Sequence, residues 1–288
     1  MSVLVELFIG GLMSGLVVGL AALAITLVFG IARFPNAATG DAMTLGAFVA
    51  LSVSAITGSV IIGGLIAAVM GVAVGVGAYV LVFRKLAGRS SVANLLASMG
   101  IAFFVRAVVG LIFGHQQQVF QLPLVRPWRV FDIRIQPSDL TLATVALVTL
   151  GAVFLVLHMT PVGRRMRAVA DDPGLARVSG ISPTRVMIAL WAMTGSVSAI
   201  AGVMYGIKTV VTPEMGWDML LPAFAAAILG GIGHPVGAIV AGVLLGALQE
   251  MSTPLVGFTY KIAISFVVLL IVLLVRPQGL LGQAEGAR

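Results

Sequence analysis

Six stretches of this chain, 7–32, 60–83, 93–114, 140–158, 187–207 and 259–275, are each nearly free of charge and close to twenty residues long. Such a stretch, rising about 1.5 Å per residue as a helix, reaches across roughly 30 Å of hydrocarbon. Shorter apolar pieces lie at 40–57, 219–231 and 235–249. Only 9% of the 288 residues are charged, against 60% hydrophobic, too few charges to clothe a water-soluble surface. The pattern predicts an all-α polytopic integral membrane protein, one transmembrane domain over residues 1–288 with eight or nine spanning segments. The first apolar stretch follows no basic region and is too long for a signal sequence, so it is read as a retained helix.

Two regions interrupt membrane-grade sequence with helix-breaking residues. One lies near 33–41 and includes Pro35; the other, near 229–236, holds the string Gly230-Gly231-Ile232-Gly233-His234-Pro235. Backbone freed from a helix cannot face lipid, so both breaks are expected inside protein or beside a wet cavity. The connections set the orientation. Residues 84–92, 160–186 and the tail after 275 carry ten of the 17 basic residues, and alternation of the segments places all three on one side. By the positive-inside rule that side is the cytoplasm. The outer side then receives 208–218, 250–258 and the long loop 115–139, where a short surface element is expected. With nine crossings the N-terminus falls outside.

The polar residues inside the spans narrow the function. Asn36, Gly40, Asp41 and Thr44 cluster at the first break, and Gly230, Gly231 and Gly233 form the second. A helix start presents amide donors, so the first break can hold a solute carboxylate with Asp41 balancing an ammonium. The same residues also suit simple capping of the following helix by Asn36 or Thr39. Arg106 lies within an apolar segment, where an arginine must face protein or water; it lines a pathway or pairs with a buried acid. Glu250 and Lys261 flank an outer loop as interfacial anchors. His115, His158 and His234 share no ligand spacing, so no metal site is assigned. There is no cysteine, no nucleophile–base constellation and hence no catalytic residue. Glycines spaced by four, Gly11/Gly15/Gly19, Gly71/Gly75 and Gly242/Gly246, suit close helix packing.

The 160–186 loop is bracketed by Pro161 and Pro183. A short helix is expected from Arg164 to Ala170, stopped at Asp171-Asp172-Pro173, with a second turn through Leu175–Val178 and Gly180 as its C-terminal cap. It reads as a docking element for a soluble partner or as a solvated basic loop.

The motif Gly163-Arg164-Arg165-Met166-Arg167-Ala168, followed by Asp171-Asp172 and Gly180-Ile181, resembles the cytoplasmic loop of the branched-chain amino acid ABC permeases, the LivH/LivM group. The stretch Leu23–Phe34 with Asn36 and Gly40-Asp41-Ala42-Met43-Thr44-Leu45-Gly46-Ala47 is similar to that family's N-terminal signature. Ala225–Gly233 and the ending Leu273–Gly282 match its later blocks, so the resemblance covers almost the whole chain. Two positions depart from it. Asn36-Ala37-Ala38-Thr39-Gly40-Asp41 stands where Asn-Phe-Ala-His-Gly-Asp is usual, and His234 stands where the family carries serine.

The resemblance implies a LivH-type permease subunit of an ATP-binding-cassette importer in the bacterial inner membrane, carrying leucine, isoleucine and valine. Its expected partners are a second, LivM-like permease, two cytoplasmic ATPase subunits and a periplasmic binding protein; no nucleic acid is expected. The chain lacks a Gly-x-x-x-x-Gly-Lys-Ser/Thr loop, so no bound cofactor is expected and ATP would be used by the partner subunits. Gly163, Arg164, Arg165, Arg167, Ala168, Asp171, Asp172 and Gly180 are then the ATPase-coupling residues. Asn36, Gly40, Asp41, Thr44, Arg106, Gly230, Gly231 and Gly233 are the candidates for the substrate pathway. A permease for another small solute and a self-contained secondary transporter are the alternatives.

Overall fold

A computed structural model describes residues 2–122, 128–130, 133–257, 260–276 and 278–281. The expected Arg126 and Asp132 of the outer loop and the end of the tail from 282 onward, with Arg288, lie outside the described residues, as does the side chain of Lys261. The described elements are α1 (Ser2–Ala32), α2 (Ala38–Thr57), α3 (Val60–Ala78), α4 (Ser91–Phe113), β1 (Trp128–Val130), β2 (Ile133–Ile135), α5 (Pro137–Met159), α6 (Pro161–Asp171), α7 (Pro173–Val178), α8 (Pro183–Lys208), α9 (Met215–Gly230), α10 (Pro235–Val256) and α11 (Lys261–Val275). A π turn at Tyr79–Phe83 extends α3.

Seven of these helices are long and apolar enough to cross a membrane: α1, α2, α3 with its π turn, α4, α5, α8 and α10. The shorter apolar helices are α9 and the Ala263–Val275 part of α11. The fold is therefore the all-α polytopic membrane protein that the hydropathy predicts. The helices are interrupted at 33–37 and 231–234, inside the two regions where the breakers cluster. Hydropathy ends the tenth helix too early, at 249, because Gln249 and Glu250 look like a membrane boundary. The helix continues to Val256, since the buried Gln249 amide donates to Ser265 Oγ on α11 and needs no water. The surface element in the outer loop is a two-stranded antiparallel ribbon, with Trp128 opposite Ile135 and Val130 opposite Ile133.

The chain divides into two compact units. The first comprises Met1–Thr26, Leu122–Val148 and Leu221–Arg288. Here the glycine stripe of α1 lies on α10. A Cβ on Gly15 would fall 2.7 Å from Val243 Cα, and Gly242 and Gly246 return the contact. Without a hydrophobic drive between helices in lipid, such backbone approach is what holds them. The stripe is consumed by packing within the chain.

The second unit comprises Leu27–Gln121 and Thr149–Leu220. In it α2, α3 and α8 pack on one another through small residues: Gly46 on Ala199, Gly63 on Ala50, Gly71 on Gly195 and Gly202 on the backbone of Met43. An aromatic cluster fills one end of this unit. Phe83 stacks on Trp191 at 4.5 Å, and Phe34 from the break lies 5.2 Å from Phe83. The outward faces of α3 and α4 stay apolar, with Ile61, Leu65 and Val69 on one and Leu96, Phe104 and Leu111 on the other. In a chain of this hydropathy those faces suit lipid or another apolar chain.

Candidate functional site

At the first break the freed backbone amides find partners in protein. Asn36 Oδ1 accepts from Ala38 N at 3.1 Å, and Ser98 Oγ on α4 accepts from Ala37 N at 3.0 Å. Thr39 makes no cap; Asn36 does, and both side chains are buried. One turn on, Gly40 lies against the backbone of Gly216 at the start of α9, and Thr44 Oγ1 accepts from Gly216 N at 3.0 Å. Asn36, Gly40 and Thr44 are thus joined to α4 and α9, and two amides considered for a solute carboxylate are already bonded.

Behind the break lies a pocket of about 30 Å³ between α2, α3, α4 and α8. Asn36 and Thr39 line one side; Trp191, Thr194 and Ser198 of α8 line another. The two α8 hydroxyls donate to carbonyls one turn back, Leu190 O and Thr194 O, and keep lone pairs for a further donor. The volume suits one or two waters and not an amino-acid side chain.

Asp41 and Arg106 form one ion pair. Arg106 Nε donates to Asp41 Oδ1 at 2.9 Å and Nη2 donates to Oδ2 at 3.1 Å, a fork-to-fork pair. The Asp41 side chain is 1% exposed and that of Arg106 is 19% exposed. The guanidinium also lies over Phe103 and Trp217, at 5.5 and 5.2 Å from the ring centroids. A cation inside an apolar segment is thereby matched by a carboxylate and by two ring faces. Asp41 is engaged by this partner and does not stand as an unmatched anion for a solute ammonium. Sequence reasoning missed Phe103 and Trp217. The signal for Phe103 was its place three residues before Arg106 on the same helix face; nothing local marks Trp217.

The second break, in the first unit, is built by backbone geometry. Gly231 and Gly233 take φ of 100° and 81°, conformations that glycine adopts freely, and Gly230 lies directly against Gly237. His234 Nδ1 accepts from Gly237 N at 3.2 Å and so caps α10, the task that the family's serine can perform equally well. The last carbonyls of α9 are met by the tail: Leu280 N donates to Leu229 O at 2.7 Å and Leu281 N to Gly230 O at 3.3 Å. This docking gives the conserved-looking ending a structural reason that no local reading supplies.

Residues 160–186 form two short helices, α6 and α7. On α6, Gly163, Met166 and Val169 are buried, while Arg164, Arg165 and Arg167 are exposed, an amphipathic arrangement at helical spacing. Arg167 nonetheless serves its own chain, donating from Nη1 to Leu157 O at 2.6 Å near the end of α5. Arg164 and Arg165 are left as the outward cations of the original trio. Ala168 is half-buried and Asp171 exposed at the end of α6. Asp172 caps α7, its Oδ1 accepting from Gly174 N at 2.7 Å and Leu175 N at 3.0 Å. The bonds from Leu175 and Gly174, with help from Arg33, hold its carboxyl below the usual range. Gly180, at φ 81°, completes a Schellman end, with Ile181 N donating to Ala176 O and Gly180 N to Arg177 O.

Comparison with known proteins identifies the architecture. The family described as branched-chain amino acid transport system, permease component, matches residues 7–273. The chain belongs to this family. It is 28% identical to the high-affinity branched-chain amino acid transport system permease protein LivH of Escherichia coli K12, over 96% of this chain and 94% of that one. It is also 28% identical to the permease protein BraD of Pseudomonas aeruginosa, over 96% and 95%. A probable LivH of Methanocaldococcus jannaschii is 27% identical over 91% and 88%. No solved structure matches the chain. As a member of this permease family, it is a multi-pass membrane transport protein of the ABC class and not an enzyme.

Proposed function

We propose that the chain is a translocation subunit of an ATP-binding-cassette importer for leucine, isoleucine and valine in the bacterial inner membrane. The observation that carries this reading is the family match over 7–273, supported by full-length relatives named for branched-chain amino acid transport. The chain works beside a second, LivM-like permease, with the solute path at their junction. A periplasmic binding protein delivers the solute, and two cytoplasmic ATPases consume the ATP.

Within this scheme α6–α7 is the docking element for an ATPase. A buried face of Gly163, Met166 and Val169 holds it to the chain, and the exposed Arg164 and Arg165 meet acidic groups on the partner. Arg167 supports the element from within. The first break, with Asn36, Thr39 and the pocket beside α8, is the part of this chain that borders the solute path. The Asp41–Arg106 pair fixes α2 to α4 there.

The test is ATP-dependent uptake of labelled leucine into proteoliposomes, omitting each partner in turn. Uptake that needs the complete set is the expected result. Leucine uptake by this chain alone on an ion gradient would replace the reading with a secondary transporter. A complete set that hydrolyses ATP and imports another amino acid, urea, an amide or an organic acid would keep the machine and change the solute. In the same assay, Arg164→Glu with Arg165→Glu is expected to abolish uptake and ATPase assembly; unchanged values would refute the docking role.

A further inference from the structure

One residue at the first break reaches both the cytoplasmic element and the pocket wall. Arg33, the residue after α1, turns the chain at φ 60°, the one non-glycine residue at positive φ among those described. Its guanidinium extends to the end of α6, where Nη2 donates to Ala170 O at 2.7 Å and to Asp171 O at 3.4 Å. The last carbonyls of a helix lack partners within it and carry the negative end of its dipole, so a guanidinium is well matched there. The Arg33 carbonyl in turn accepts from Ser91 Oγ at the start of α4, at 3.1 Å.

The next residue points inward. Phe34 is buried, 5.2 Å from Phe83 in the π turn and 6.3 Å from Trp191. Trp191 and Asn36 both line the pocket. Two consecutive residues thus tie the end of α6 to the aromatic cluster and to the pocket beside it. A π turn facing this junction adds a segment whose helical bonding has an alternative register. The opposite end of α6 is attached separately, through Gly163 against Leu157 and Arg167 on its carbonyl. A push on α6–α7 therefore reaches the break through Arg33.

We infer that Arg33 is the positioning residue that transmits movement of α6–α7 to the α1–α2 break. The inference rests on the permease reading above. It also explains why an arginine tolerates a backbone conformation suited to glycine: only a long, forked donor placed there reaches two carbonyls of α6.

The experiment uses the complete transporter in proteoliposomes with labelled leucine, reading basal ATPase, ATPase stimulated by loaded binding protein, and leucine imported per ATP. Arg33→Gly keeps the left-handed backbone and removes the fork; Arg33→Lys keeps a cation. Arg33→Gly is expected to assemble and keep basal ATPase, while leucine per ATP falls at least about tenfold, one decade of coupling. Arg33→Lys is expected to recover part of that ratio, which loss of a merely structural contact would not produce. A wild-type ratio in Arg33→Gly would overturn the inference and leave the permease reading intact. If Arg33→Gly does not assemble, Arg33→Asn, short but tolerant of positive φ, carries the same test. Failure of both to assemble would make Arg33 a structural residue and overturn the inference. Absence of ATP-driven uptake in the wild type would overturn the permease reading and this inference together.

Discussion

Removing Arg106 is expected to harm the protein far more than removing its charge together with that of Asp41. In Arg106→Gln the Asp41 carboxylate, 1% exposed, loses both donors of its fork and cannot turn to water. Breaking a buried pair from one side costs about 3–5 kcal/mol. Asp41→Asn is milder. The guanidinium is 19% exposed and keeps Phe103 and Trp217, so the expected cost is about 1–3 kcal/mol. In the double variant both charges are gone and two amides can bond to each other, for a cost of about 1–2 kcal/mol. The coupling between the two sites is then roughly 2 kcal/mol or more. Reversible unfolding of the four proteins in mixed micelles, titrated with a denaturing detergent, measures this cycle. Additive single effects, or an Arg106→Gln protein as stable as the wild type, would refute the claim that the pair is a buried, mutually dependent unit.

Further outcomes follow from close packing and from Asp172. A Cβ at Gly202 would strike the backbone of Met43, whereas one at Gly64 meets nothing within 4 Å. Gly202→Ala should therefore lose about 1–3 kcal/mol, while Gly64→Ala is neutral or gains up to about 1 kcal/mol; thermal unfolding of the two variants checks the contrast. For Asp172 the folded state favours the charged form. Its support of α7 is complete above the ordinary carboxylate pKa of about 3.9 and is lost as pH falls through the lower folded value. Hydrogen-exchange protection of the α7 amides, corrected for intrinsic rates, should hold from about pH 7 to about pH 5; loss within that window would contradict the capping geometry. Asp172→Ala should remove the protection of Gly174 and Leu175 at neutral pH, while Asp172→Asn retains part of it.

Hydropathy and helix breakers determined much of this protein by themselves. The spans, the two interruptions, the paired short helices between Pro161 and Pro183, and Gly180 as a cap follow from local rules. Each depends only on residues within a few turns, because membrane solvation and backbone bonding act segment by segment. The partnerships were decided by tertiary structure. Nothing in the sequence joins Asp41 to Arg106, sixty-five residues away, or brings Trp217 over the same guanidinium. The polar pair Gln249 and Glu250 reads as a membrane boundary until α11 supplies Ser265. Three arginines of α6 look alike in sequence, yet Arg167 turns back to Leu157. Arg33 reads as a boundary cation until its reach to Ala170 is seen. In an apolar medium each buried polar group must find a partner, and the chain's three-dimensional path, not its local composition, determines which group that partner is.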